Sequence, residues 1–365
     1  MSGPNHAKYQ ERLDFIQQRV LTRHLGLRGE DLERTTVNPI HYDPDCPFKY
    51  NNFIYHIRLP PSAALFHGTT VETQCHQQQS CVPIPAGTND FILKLTNQDA
   101  EGAHYATRVE NEVAIMTLAS AALRSIELDV VPRIFAWASE ATSQGFGGLT
   151  FDGSGRIGWR ANGVRERLDA FLQNAFPGLF ASFTSKDRKV IVHGDFNTNN
   201  ILVDPTSGRL TAFVDYDFST ILHPSFEFFR FFNGDMGQLQ GWSGDVTNES
   251  SAMIKAKMAL REGKLTGTFP NDLPGPKCLE EGEELTWDWD LAKAWENSLK
   301  EVGAERPSTM AGIENIADFD ALLNAILPWQ FDNPDFLSMQ SEDTVKRMGL
   351  FFGKELLKRL EHMGF

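Results

Sequence analysis

Val190-Ile191-Val192-His193-Gly194-Asp195-Phe196-Asn197-Thr198-Asn199-Asn200-Ile201-Leu202-Val203-Asp204 is the stretch that decides the fold. Two short apolar runs, each suited to a buried strand, bracket a polar loop that carries His193, Asp195 and Asn200. Strand ends are rigid mounts for such side chains. Asp204-Pro205-Thr206-Ser207-Gly208 then reads as a turn, and Leu210 to Val214 returns as a second strand. Asp215 therefore ends one strand of a hairpin while Asn200 precedes the other, so that the two side chains can face one metal ion.

At these residues the chain resembles the aminoglycoside phosphotransferase family, a branch of the protein-kinase-like fold whose loop reads His-Gly-Asp followed by Asn five places after the Asp. Asp195 and Asn200 keep that spacing, and Val214-Asp215-Tyr216-Asp217 resembles the family's later Ile-Asp-Trp-Glu segment. The resemblance implies an α+β, two-lobed protein-kinase-like fold with a small β-rich N-lobe and a mostly helical C-lobe. It also implies transfer of the terminal phosphate of ATP or GTP, with Mg2+, to a hydroxyl of a small molecule. Phosphoryl transfer asks for an acid that orients the hydroxyl and for an Asn and an Asp that hold magnesium against the phosphates. Asp195, Asn200 and Asp215 supply that set in that order. His193 joins Asp195 in the catalytic loop, 193–200, as its anchor rather than as a proton shuttle. The sequence does not separate a metal-assisting role for Asp217 from a packing one.

Upstream, Leu13, Ile16 and Val20 recur at helical spacing, which predicts an amphipathic helix from about Tyr9 to Leu25. Phe53, Tyr55 and Ile57 alternate within Phe48 to Leu59, a strand signal that ends at Pro60-Pro61. No glycine occurs between Gly29 and Gly68, so a phosphate cover here has to use Asn51-Asn52 or side chains. His67 to Asn89 reads as an exposed insertion. In Phe91-Ile92-Leu93-Lys94-Leu95, Phe91, Leu93 and Leu95 share one face and Ile92 and Lys94 the other. Val109, Val113, Met116 and Leu123 then mark a helix face, with Glu112 on the side that packs inward. A buried carboxylate wants a cation, and Lys94 is the obvious partner. The resemblance makes Lys94 the lysine that touches the nucleotide phosphates and Glu112 the residue that holds it, while Glu110 is out of phase with that face.

Val130 to Trp137 again resembles the family, in which Pro-Arg and a strand follow this helix. The pattern then breaks over 139–149, where the family continues with an adenine-binding hinge. Gly147 to Ile157 looks like a part found well after the hinge, and one short helix candidate, Val164 to Phe176, precedes the catalytic strand. A block of roughly fifty residues is missing, judged by the helix and strand lengths it normally needs. The expected organisation is a helical extension over 1–47, an N-lobe over 48–140 and a C-lobe over 141–365. Past Asp215, six phenylalanines between Phe218 and Phe232 are expected to pack the large lobe, with a helix from Pro224. Trp287, Trp289 and Trp295 among acidic residues over 280–296 could cage an amine, although a solvated helix with buried tryptophans is the more ordinary reading. Val345 to Met363 traces a closing amphipathic helix.

A length of 365 residues with 41% hydrophobic content is enough for a sizeable core. A net charge of -14 excludes general electrostatic attraction to nucleic acid or anionic membrane. Cys46, Cys75, Cys81 and Cys278 are too few and too scattered for a disulfide framework, and Cys75-His76 with Cys81 lacks a second spaced pair of metal ligands. Neither a signal peptide nor a bilayer-spanning apolar run is present, so a soluble cytoplasmic protein is expected. The oligomeric state stays open. Two other readings are a kinase-shaped binding or scaffold protein impaired by the loss of the hinge, and a metallophosphoesterase. The latter needs several more His and Asp ligands at strand ends, and only His223 follows before His362.

Overall fold

The computed structural model describes residues 3–63, 80–97, 99–100, 105–138, 163–183, 185–230, 237–247, 251–270 and 289–365. The region of the expected hinge, 139–149, the Gly147 to Ile157 segment, most of the 67–89 insertion, and Cys75, Cys278 and Trp287 lie outside the described residues. The chain divides into two compact units, Met1–Gly145 and Phe146–Phe365. Both helices and antiparallel strands contribute, so the fold is α+β.

In the first unit the predicted N-terminal helix forms as α1 (Tyr9–Phe15), continued by a π-helical stretch over Ile16–His24 in which Leu25 N–H reaches the Val20 carbonyl at 2.9 Å. α2 (Gly29–Glu33) follows. The sheet is three-stranded and antiparallel, in the order β1 (Thr36–Ile40), β2 (Asn52–Arg58), β3 (Asp90–Thr96). Strand β1 falls inside the stretch expected to be a helical extension. Its Pro39 hides the strand signal, because proline removes a ladder donor and is confined to edge strands. Phe53, Tyr55 and Ile57 turn to the core as the alternation requires. They meet Ile16, Leu21, Leu27 and Leu59, while Phe91, Leu93 and Leu95 cover the same cluster.

Helix α3 (Tyr105–Arg124) buries Arg108, Val113, Ile115 and Ala119. Val109, Met116 and Leu123 are only half-buried, so the inward face is rotated from the one expected and is shared with a buried arginine. No strand forms over 129–138; there the chain touches the rest of the unit through the Val82 N–H to Ile134 carbonyl bond of 2.9 Å. This corrects the strand that the resemblance implied after α3.

The second unit is mostly helical. Short helices α4 (Val164–Asn174) and α5 (Phe176–Leu179) lead to β4 (Val190–Val192). Strands β5 (Ile201–Val203) and β6 (Leu210–Phe213) form the expected hairpin, and β7 (Thr220–Leu222) pairs with β4. The turn closes as its residues dictate: Asp204 Oδ1 accepts the N–H groups of Thr206 and Ser207, both at 2.8 Å, and Gly208 takes the left-handed conformation. The run expected to be a buried strand is exposed, with Leu202 48% and Val203 55% accessible, because a two-stranded ribbon covers only part of its own faces.

After β7 come α6 (Ser225–Arg230), α7 (Ala252–Thr266), α8 (Trp289–Glu301), α9 (Ile313–Ile326), α10 (Trp329–Asp332), α11 (Pro334–Ser338) and α12 (Glu342–His362). Phe228 and Phe229 enter a core with Phe183, Leu239, Met310 and Ile313, as expected of the phenylalanine-rich run. Val164, Leu168 and Phe171 of α4 meet Leu322, Leu356 and Leu360 of α9 and α12. Trp289 packs between α7 and α8, and Glu296 is buried against Arg306 and Ser308. Neither is placed to line an amine cage. Among the described residues no helix is long and apolar enough to cross a membrane.

Candidate active site

Lys94 and Glu112 come together as expected: the lysine Nζ donates to Glu112 Oε1 at 2.7 Å. The pair sits on a strand face and a helix face of the first unit, with the two side chains 24% and 14% exposed. Such partial burial strengthens the attraction above that of a surface pair without desolvating either charge completely.

In the second unit the loop after β4 is built around a reversal at Gly194, whose φ of 77° is a left-handed conformation. A Cβ there would lie 2.4 Å from the Phe218 carbonyl oxygen, so only glycine lets the two backbones approach. His193 is buried, and its Nε2 faces the Val214 carbonyl oxygen at 3.0 Å. A carbonyl can only accept, so Nε2 carries the proton and the neutral ring leaves Nδ1 bare. That nitrogen is buried with no hydrogen-bond partner among the described residues. Burial holds the His193 pKa below the ordinary histidine value, with Asp195 and Asp215 opposing the shift more weakly. The ring packs against Tyr216 and Phe196, at centroid separations of 4.9 and 5.7 Å.

Asp195 is held on both oxygens. Asn197 Nδ2 donates to Oδ1 at 2.9 Å and Asn200 Nδ2 donates to Oδ2 at 3.0 Å. Both amides also reach the Asp195 carbonyl, at 3.2 and 2.7 Å. Since Asn200 spends its nitrogen on Asp195, its amide oxygen is left for another partner. Val214 N–H donates to the Asn200 carbonyl at 3.0 Å, and Asp215 follows it, two residues past the end of β6. Asp215 itself has φ 63°, a left-handed conformation uncommon outside glycine and enriched at functional sites. Asp217 is buried, and Ser219 next to it donates its hydroxyl to the His193 carbonyl at 2.8 Å.

Among the described residues no three His, Cys, Asp or Glu side chains cluster as a metal cage. The amide oxygen of Asn200 and the carboxylate of Asp215 are hard donors that fit magnesium, an ion bound through one or two protein oxygens plus phosphate oxygens and water. Cys46 is a free thiol.

Two residues of this site were not expected. Asn197, in Asp-x-Asn spacing, caps the 3₁₀ turn Thr198–Asn200 by accepting Asn199 N–H at 2.9 Å, and its sequence signal is the local Asx preference for such turns. Glu227 of α6 accepts the N–H groups of His193 and Gly194, a long-range contact with no local sequence signal.

Residues 151–251 match the phosphotransferase enzyme family designated APH. The family resembled by the His-Gly-Asp motif is thus the family matched, over the segment that carries the catalytic loop. Among solved structures, a protein of Ralstonia eutropha JMP134, provisionally described as an aminoglycoside phosphotransferase, matches at 14% identity over 96% of each chain with a TM-score of 0.32. At that score the likeness carries no structural argument. No curated protein matches the chain.

Proposed function

We propose that the chain is a phosphotransferase that transfers the terminal phosphate of ATP or GTP to a hydroxyl of a small molecule, within a two-lobed protein-kinase-like fold. The observation that carries this is the grip of Asn197 and Asn200 on the two oxygens of Asp195, which occupies the Asn200 amide nitrogen and not its oxygen, together with the Val214 N–H bond to the Asn200 carbonyl one residue before Asp215. Asp195 orients the acceptor hydroxyl and takes up its proton. Asn200 and Asp215 hold magnesium, which when bound neutralises the charge of the phosphates. Lys94, fixed by Glu112, serves the nucleotide phosphates, and His193 fixes the loop.

Catalysis of this kind is mostly positioning, so a carboxylate already immobilised by two amides suits it. The test is twofold. ATP or GTP with magnesium should raise the melting temperature, and phosphate transfer across a panel of small alcohols should be abolished in Asp195→Ala with the fold retained. Undiminished turnover in that variant would refute the assignment of Asp195. The break from the family pattern over 139–149 supports a second reading, a nucleotide-binding protein without turnover. Nucleotide-dependent stabilisation with no transfer to any acceptor would favour it.

A further inference from the structure

We propose that residues 3–12 form a strap that positions the loop between β1 and β2, residues 41–51, as one wall of the nucleotide-phosphate site, with Asn5 as its positioning residue. The inference rests on the phosphotransferase reading. Ile40 pairs with Ile54, and Ile54 pairs with Lys94, so the three stand in one row across the sheet. Directly opposed residues of antiparallel strands project to the same face. The loop therefore leaves β1 one residue from the row that holds Lys94. The opposite end of the sheet is closed by Asp90, which binds His56 at 2.8 Å and Arg58 at 2.9 Å.

Residues 41–51 contain no glycine, and to bonds within the loop, such as Asp43 N–H to the Tyr50 hydroxyl at 2.9 Å, the strap adds contacts from outside it. Asn5 is 1% exposed. Its amide works in both directions, donating from Nδ2 to the Phe48 carbonyl at 2.7 Å and accepting Tyr50 N–H at 2.8 Å. Gly3 N–H donates to the Pro44 carbonyl at 2.9 Å. The approach is so close that a Cβ on Gly3 would lie 2.6 Å from Pro44 O and 2.9 Å from Cys46 O. His6 Nδ1 and the Tyr42 hydroxyl are 2.6 Å apart.

The exit of the loop is tied to the elements that carry the ion pair. Asn97, three residues beyond Lys94, donates from Nδ2 to the Tyr50 carbonyl at 2.7 Å and from its N–H to the Asn51 carbonyl at 2.9 Å. Arg108, one helical turn before Glu112, donates to the Asn51 carbonyl at 3.0 Å. One network thus links the strap, the loop, the lysine strand and the glutamate helix. A loop ordered in advance spares the ligand the entropy of ordering it, so the strap acts on nucleotide affinity.

The test uses the full chain, with Mg-ATP and Mg-GTP titrated by calorimetry into wild type, Asn5→Ala and Gly3→Ala, alongside melting temperatures. Trypsin cleavage between Lys49 and Tyr50 gives a second readout, because the N–H of that bond is the one held by Asn5. Affinity about tenfold weaker in both variants, with faster cleavage that nucleotide suppresses in the wild type, is the expected result. Wild-type affinity in both folded variants would overturn the strap and leave the phosphotransferase reading standing. Failure of wild type itself to bind either nucleotide would overturn that reading and the strap with it.

Discussion

Glu227 accepts the backbone N–H of His193 at 2.6 Å and that of Gly194 at 3.3 Å, so one half-buried carboxylate on α6 fixes the reversal that aims Asp195. Burial raises the Glu227 pKa, and the two N–H donors oppose that rise by favouring the ionised form. Replacement by glutamine keeps one acceptor and turns the other into a donor facing a donor. Glu227→Gln should cost about 1–3 kcal/mol of stability in urea titrations, the penalty of an unsatisfied buried N–H, and should depress phosphate transfer. A variant as stable as the wild type would remove Glu227 from this role.

The Lys94–Glu112 pair calls for a double-mutant cycle. With both side chains largely but incompletely buried, Lys94→Met or Glu112→Gln alone should each cost about 1–3 kcal/mol, between the values for surface and fully buried pairs. The double variant should cost less than the sum. Nucleotide affinity separates the roles: Lys94→Met is expected to weaken Mg-ATP binding directly, and Glu112→Gln to weaken it by freeing the lysine. Strictly additive stabilities in the cycle would show that the contact carries no coupling.

These two contacts mark how far the sequence could be read. Lys94 and Glu112 were legible because strand alternation and helix phase are local, and each puts its residue on a definite face. The hairpin was legible for the same reason, since Asp204 to Gly208 carries its own turn chemistry. Strand β1 was not, because Pro39 masks a ladder that only its pairing with Tyr55 reveals. Glu227 was invisible for a different cause: its partners are backbone N–H groups more than thirty positions away, and no side-chain pattern announces an acceptor for them. Trp289 is buried as the ordinary reading of its segment expects, whereas Glu296, read among solvated acidic residues, is turned inward onto Arg306 by a contact that composition does not announce.

His193 gives the site a pH signature. Burial lowers its folded pKa, so below the unfolded value of 6.5 the unfolded chain binds more protons at this residue than the native one does. The contribution of His193 to stability is therefore complete above pH 6.5 and is lost as pH falls toward the lower folded value. His223, also lowered by burial, adds in the same sense. Denaturation midpoints of wild type and His193→Gln, followed downward from pH 7, should converge. Parallel curves would mean that the histidine titrates alike in both states.

Gly194 and Gly208 together separate backbone conformation from crowding. Both have left-handed φ, 77° and 67°, so alanine at either should meet the conformational penalty of roughly 1–2 kcal/mol for an L-residue there. At Gly208 nothing lies within 4 Å of an added Cβ, and Gly208→Ala should show that penalty alone. At Gly194 the added Cβ would sit 2.4 Å from Phe218 O and 3.0 Å from its carbonyl carbon, backbone atoms that cannot swing aside. Gly194→Ala must push the loop away from the start of β7, which strains the Ser219 to His193 hydrogen bond and the Glu227 contacts together. Its cost should exceed that of Gly208→Ala by about 2 kcal/mol or more, and turnover should fall with it, because Asp195 is the next residue. Equal destabilisation of the two alanine variants in parallel urea titrations would show that the loop has room it does not use, and that its geometry is not set by the close approach at Phe218.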